Sequence, residues 1–154
     1  MQVLNDIGKN AETLEIELTI QGVKRVKEIN KIDLMSIANS DLPLRLYSDP
    51  ILVASIVGTM LGHSQAELTK FMDSLRGDDS NRLREALIEE IVTYFPLEQQ
   101  DEVRTRCLEL IEMERKAMVE AVEQVKKMDL SKVVSQAIAS PKPGGNSSTA
   151  PPAS

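Results

Sequence analysis

Residues 81–127 read NRLREALIEEIVTYFPLEQQDEVRTRCLELIEMERKAMVEAVEQVKK and hold most of the apolar periodicity in the chain. The first half predicts an amphipathic helix, because its apolar residues recur every three or four positions. Those residues are Leu83, Leu87, Ile88, Ile91, Val92 and Phe95, and the spacing leaves Arg84, Glu85, Glu89 and Glu90 for water. Pro96 cannot continue that helix without the loss of a backbone hydrogen bond, so we expect a bend there.

The second half predicts a longer helix from Glu98 to Lys127. Acids near its beginning and lysines at its end suit the helix dipole. One apolar stripe runs along this helix, and it can either complete the bundle core or stay available to a partner helix. The stripe residues, which we predict to contribute to partner binding, are Val103, Cys107, Leu110, Ile111, Met118, Ala121, Val122 and Val125.

The composition is typical of one domain with an aliphatic core. The 154 residues include seven methionines, two tyrosines, two phenylalanines and no tryptophan. The net charge of −6 disfavours a general attraction to nucleic acid or to an anionic membrane. No apolar run predicts a membrane span and no secretory signal is present, while the single cysteine suits a reducing compartment. We therefore expect a cytosolic protein.

Three regions are predicted: a flexible lead-in over residues 1–12, a helical domain with an N-terminal hairpin over 13–139, and a disordered tail over 140–154. Residues 14–20 alternate between apolar and polar, which predicts a strand. Gln21-Gly22 favours a turn, and residues 23–29 are predicted as a basic second strand. The tail is rich in Pro, Gly and Ser and lacks large apolar side chains, so it cannot offset the entropy cost of ordering.

The middle of the chain is predicted to be helical, with one interruption. A short helix around Ile32–Ile37 is followed by an extended Leu42-Pro43-Leu44, since the residue before proline avoids the helical region. Asp49-Pro50 and the Ser64–Glu67 capping box each predict the start of a helix.

Two further helix starts are expected later in the chain. Ser80 or Asp79 caps the helix that leads to Pro96, and Asp129 begins a last short helix. The predicted fold class is therefore mainly α, a bundle of four to six helices with a small N-terminal β-hairpin and a disordered C-terminal tail.

Residue constellations for catalysis or metal binding are scarce. His63 and Cys107 occur once each and lie far apart in the sequence, which argues against a zinc site. No glutamate is followed three residues later by histidine, as a di-iron bundle requires, and no glycine-rich phosphate loop precedes a helix. We predict a protein that is not an enzyme and has no cofactor and no metal.

A helix-turn-helix arrangement is one alternative. The segments 51–61 and 66–75, joined by Gly62-His63-Ser64, could place the second helix in a DNA groove. That helix would expose both acidic and basic residues, which gives little attraction to phosphate. Plain packing of two helices is therefore favoured over DNA reading.

The order of elements resembles the tail assembly chaperones of long-tailed bacteriophages over residues 13–115. The resemblance is carried by the expected acidic-then-basic hairpin over 14–29, by INKIDLM at 29–35 and by ALIEEIVTYFP at 86–96. It implies a non-catalytic protein of the infected host's cytoplasm that binds the tape measure protein and aids assembly of the tail tube protein around it. We add the expectation that the protein forms a homo-oligomer, through the hairpin edge or the stripe of residues 103–125.

Two other functions remain open at this point. A structural head or tail component would stay in the virion, whereas a chaperone would leave it. A helix-turn-helix regulator would bind duplex DNA. Neither nucleic acid nor a membrane is expected as a partner of the chaperone.

Overall fold

The structure is a computed structural model that describes the backbone of residues 1–139, together with the side chains of residues 1–128 and Lys132. The predicted disordered tail, residues 140–154, lies outside the described residues. The described part contains two β-strands, six α-helices and one 3₁₀ helix. These are β1 (Gln2–Ile7), β2 (Glu12–Ile16), α1 (Ile20–Ile29), the 3₁₀ helix (Leu34–Ala38), α2 (Leu42–Ser48), α3 (Pro50–Met60), α4 (Gln65–Ser74), α5 (Asp79–Val92) and α6 (Leu97–Ala139).

The predicted fold class is confirmed, since the described chain is mainly helical with an N-terminal two-stranded hairpin. The chain divides into two compact units, Met1–Met113 and the residues from Glu114 onward, and α6 crosses from one to the other. No helix among the described residues is both long enough and apolar enough to cross a membrane.

The hairpin lies earlier in the chain than predicted. Residues 2–7 of the expected lead-in form β1, which pairs antiparallel with β2 so that Leu4 lies opposite Leu14. The predicted strand over residues 23–29 is wrong, because this segment belongs to α1. The Thr19 side chain accepts a hydrogen bond from the Gly22 amide at 3.0 Å and so caps α1. The hairpin expected over residues 14–29, on which the family resemblance partly rests, is therefore not formed there.

Three other predictions about local structure are corrected. Leu42-Pro43-Leu44 is helical, because Pro43 lies in the first turn of α2, where its missing amide hydrogen is not needed. The helix that leads to Pro96 starts at Asp79, and neither Asp79 nor Ser80 is its N-cap residue, which is Asp78. No new helix begins at Asp129, since α6 continues without a break to Ala139.

The remaining helix signals are confirmed. Asp49 caps α3 by accepting a hydrogen bond from the Leu52 amide at 3.0 Å. Ser64 and Glu67 form the predicted capping box at the start of α4. The bend at Pro96 separates α5 from α6.

The core of the Met1–Met113 unit surrounds α3, which is apolar on nearly all sides. This helix contacts α1, α2, α4 and α5, and the hairpin packs against α5. Side chains from the hairpin to α6 contribute to one buried cluster. Its largest fully buried members are Ile7, Ile16, Leu34, Ile37, Leu46, Ile56, Leu83, Leu87 and Ile91. Helix α5, which contains the first part of the stretch 81–127, therefore forms one wall of the core.

Candidate protein-binding surfaces

The predicted partner-binding stripe of α6 divides into two parts of different character. Val103 and Cys107 are buried in the core, and Cys107 is 0% exposed. Leu110 and Ile111 are half-buried, and Ile111 packs against the same core cluster. The first half of the stripe is therefore a packing surface of the Met1–Met113 unit, and Val103 and Cys107 are not accessible to a partner.

The second half of the stripe is exposed. Met118, Val122 and Val125 have exposed fractions of 46%, 52% and 54%, and Ala121 is also exposed. Met128, which the predicted set omitted, continues this line and is 68% exposed. We call the residues Met118, Ala121, Val122, Val125 and Met128 the distal apolar face of α6. The spacing of three and four residues between apolar positions, which predicted the whole stripe, also predicts this face.

An ion pair fixes the beginning of α6 against α5. Arg104 Nη2 donates to Glu89 Oε1 at 2.7 Å, and Arg104 Nε donates to Glu89 Oε2 at 3.0 Å. The hydrogen bond from Arg104 is the main cause that holds the pKa of Glu89 below its ordinary value, while burial opposes this shift. The Gln100 side-chain amide also donates to the carbonyl oxygen of Phe95 at 3.0 Å, which ties α6 to the segment that joins it to α5.

Glu89 and Glu90 were both predicted to face water. Glu89 is partly exposed, but the prediction is wrong for Glu90. Glu90 is only 4% exposed, and its Oε1 accepts a hydrogen bond from the Leu18 amide at 3.1 Å. Its Oε2 lies 3.2 Å from the amino nitrogen of Met1. The carboxylate therefore connects the segment after β2 to α5. This structural role accounts for the burial of Glu90 without a catalytic one.

A shallow apolar groove lies where α3 begins and α4 ends. Its volume is about 390 Å³, and Ile51, Met72 and Leu75 are among the residues that line it. Ile51 is exposed, whereas Met72 and Leu75 are half-buried. The polar residues Asp73, Arg76 and Ser80 also line the groove.

His63 lies in the turn between α3 and α4, where it packs edge-on against Phe71 with ring centroids 5.3 Å apart. Its Nδ1 is buried without a hydrogen-bond partner. Residues beside it, including Glu67, Lys70 and Ser74, line a pocket of about 270 Å³. The Ser74 hydroxyl donates to the carbonyl oxygen of Phe71 at 2.7 Å, so it is not paired with the imidazole as a nucleophile would be.

The exposed face of α4, the helix that would read DNA, has no basic character. Gln65, Glu67, Thr69, Lys70 and Asp73 are exposed, so one lysine is balanced by two acids. Such a surface lacks the phosphate attraction that dominates affinity for DNA. Among the described residues no group of three or more His, Cys, Asp or Glu side chains is placed to hold a metal ion.

Comparisons of this chain with protein-family models, with curated proteins and with solved structures found no match. Among the described residues, the distal apolar face of α6 is the feature that best supports a function, because it exposes several large apolar side chains on one side of a helix.

Proposed function

We propose that this protein is a non-catalytic tail assembly chaperone of a long-tailed bacteriophage, which binds the tape measure protein in the cytoplasm of the infected cell and aids assembly of the tail tube around it. The observation that carries the proposal is the distal apolar face of α6. Met118, Val122 and Val125 expose large apolar side chains on one side of a helix, a surface suited to another helix. The sequence resemblance supplies the identity of the client.

The chemistry of the face suits a client with varied sequence. Two of its five residues are methionines, whose flexible side chains adapt to different partners. Charged residues such as Lys116, Glu120 and Glu123 occupy other positions on the same helix and keep it in contact with water. The net charge of −6 favours solubility of an assembly in which apolar segments are still uncovered.

The surroundings of the reactive side chains favour a binding role over catalysis. His63 contacts an aromatic ring in the described structure, and the Cys107 thiol is enclosed in the core. Burial raises the pKa of that thiol and so keeps it in its unreactive protonated form. A protein that acts by binding a partner through an apolar helix face needs neither the His63 imidazole nor the Cys107 thiol for its function.

Co-expression with the tape measure protein of the same phage tests the proposal. We expect the client to be soluble and to co-purify with this chain, and we expect Val122→Glu to abolish both effects because it puts a charge in the apolar contact. Lys116→Gln is the matched control: it changes the net charge by the same amount at an exposed residue on the side of α6 opposite the apolar face, and it should leave binding intact.

Insoluble client in the presence of the wild-type chain would contradict the proposal. Mass spectrometry of purified particles provides an independent test, since a chaperone should be absent from the virion. A fixed copy number in the particle would instead identify a structural head or tail component.

A further inference from the structure

The distal half of α6 carries a seven-residue repeat. Six residues follow one another at alternating spacings of four and three: Glu114, Met118, Ala121, Val125, Met128 and Lys132. This spacing places them along one line of the helix and is the pattern by which helices pair as coiled coils. The four inner residues are apolar, whereas the two end residues carry opposite charges.

The inner residues of this line lack an apolar environment in the isolated chain. Ala121, Val125 and Met128 are exposed, and so is Met118. Removal of apolar surface from water is favourable. A helix with the same spacing of apolar residues would cover this line from end to end.

We infer that the occupant of this line in the client-free protein is α6 of a second copy, which pairs in the antiparallel direction with its centre at Glu123. In this register, residues at equal distances on either side of Glu123 face each other across the interface. Ala121 faces Val125 of the other copy, Met118 faces Met128, and Glu114 faces Lys132. Every apolar residue of the line meets another apolar residue, and each end charge meets its opposite.

Charge complementarity selects both the orientation and the register. A parallel pair would bring Glu114 against Glu114 at one end and Lys132 against Lys132 at the other, and both contacts are repulsive. Antiparallel pairing turns the two repulsions into two ion pairs that flank the apolar layers. A charged residue at a seam position is a device by which coiled coils specify partner and register.

Val122 adds to the same interface. It lies next to the line, one residue from the centre of the pairing, and is exposed. The two-fold symmetry of an antiparallel pair therefore brings Val122 of one copy close to Val122 of the other. An isologous contact of this kind closes at two copies and does not propagate into a filament.

This pairing goes beyond the proposed function and does not rest on it, because it concerns the protein without a client. The two are linked by the shared apolar face: a client helix would have to displace the second copy. The pairing would then keep the apolar face covered until a client is present.

Sedimentation of the full chain without client tests the pairing. We expect a dimer at micromolar concentration and at least a tenfold weaker association for Val125→Glu. The matched control is Lys116→Gln, which makes the same change in net charge at an exposed residue on the opposite side of α6 and should leave the association unchanged. A monomeric wild-type chain would overturn the inference. So would a dimer that survives Val125→Glu, since its interface would lie elsewhere, for example along the hairpin edge. Either result leaves the co-purification test of the client unaffected.

A charge exchange tests the register. Glu114→Lys should weaken the antiparallel dimer about tenfold, because it replaces both ion pairs by lysine–lysine contacts. The double variant Glu114→Lys with Lys132→Glu should restore the wild-type association. In a parallel dimer the single change exchanges one repulsive contact for another, so an unchanged dissociation constant would overturn the proposed register.

Spin labels test the direction of the two helices. With Met113→Cys labelled, both end charges of the line are kept, and antiparallel helices place the two labelled positions about 30 Å apart along the axis, given the helical rise of 1.5 Å per residue. Parallel helices would place these positions at the same height, separated by little more than about 10 Å, the usual distance between packed helix axes. A short label distance would therefore overturn the antiparallel pairing. The native Cys107 does not interfere with labelling because it is buried.

Discussion

Arg104 of α6 and Glu89 of α5 form a bidentate ion pair, with the guanidinium Nη2 and Nε at 2.7 and 3.0 Å from the two carboxylate oxygens. Both side chains are about one-third exposed, which limits the strength of the pair through solvent screening. Asp101 also lies 3.0 Å from the Arg104 Nη1 atom, one turn earlier on α6. The pair joins two helices that Pro96 separates in sequence, and it fixes how α6 enters the core.

The Arg104–Glu89 pair predicts an acid-sensitive part of the stability. The pKa of Glu89 lies below its ordinary value of 4.5 in the folded protein. The stabilisation is therefore fully present above that value and is lost as the pH falls through the lower, folded-state pKa. We expect Glu89→Gln to reduce the free energy of unfolding by about 0.5 kcal/mol at pH 7 and by progressively less below pH 4.5.

Urea denaturation between pH 7 and pH 3 measures this difference. Glu109→Gln is the matched control, because Glu109 is an exposed acid on the same helix. Its effect should stay near zero at every pH. An effect of Glu89→Gln that grows on acidification would mean that the carboxylate is not stabilised by Arg104.

Glu90 should stabilise the fold through its hydrogen bond and not through its charge alone. Glu90→Leu leaves the Leu18 amide without its acceptor, and an unpaired buried amide costs about 2 kcal/mol. Glu90→Gln keeps a carbonyl oxygen for that amide and should cost less. Urea denaturation of both variants, with the exposed Glu85→Leu as control, measures the contrast. Equal losses for Gln and Leu would show that the hydrogen bond to Leu18 does not matter.

The turn of the hairpin should be sensitive to a single methyl group. Gly8 has a φ of +77°, and a Cβ there would lie 2.9 Å from the Ser74 Oγ atom. Its amide donates to Asp79 Oδ2 at 3.0 Å. We expect Gly8→Ala to destabilise the protein by about 2 kcal/mol, through both the backbone conformation and the close contact.

Thermal unfolding monitored by circular dichroism tests the effect of Gly8→Ala. Gly77→Ala is the control, because a Cβ at Gly77 would meet no atom within 4 Å beyond its own residue and chain neighbours. A melting temperature for Gly8→Ala equal to that of Gly77→Ala would show that the turn relaxes without cost.

Local signals explain which parts of this fold were predictable from sequence. The starts of α3 and α4 depend on Asp49, Ser64 and Glu67, whose contacts lie within three residues in the chain. The hairpin was misplaced because residues 14–20 have the alternation of a strand but do not reveal which neighbour they pair with. The predicted strand is confirmed only up to Ile16, which pairs with the preceding segment, and Thr19 caps a helix that begins at Ile20.

Long-range contacts explain what the sequence could not provide about the candidate site. Glu90 has the spacing of an exposed residue, and its burial depends on the Leu18 amide, 72 residues away. The stripe of α6 has the same apolar periodicity from Val103 to Val125. Periodicity therefore predicted which face of α6 is apolar, but it could not distinguish the buried part at Cys107 from the exposed part at Val125.

Cys107 provides a direct test of that division of α6. Its side chain is 0% exposed, and burial raises the pKa of its thiol, so both access and the fraction of thiolate are reduced. We expect an aromatic disulfide reagent to modify the native protein at least about a hundredfold more slowly than the urea-unfolded chain, because reaction requires local opening of the core. The control is Cys107→Ala with Val119→Cys, which moves the only thiol to an exposed position on the same helix and should react promptly in the folded protein. Rapid modification of native Cys107 would show that the first half of the stripe leaves the core readily, and residues 103–111 would then rejoin the distal apolar face as a surface open to partners.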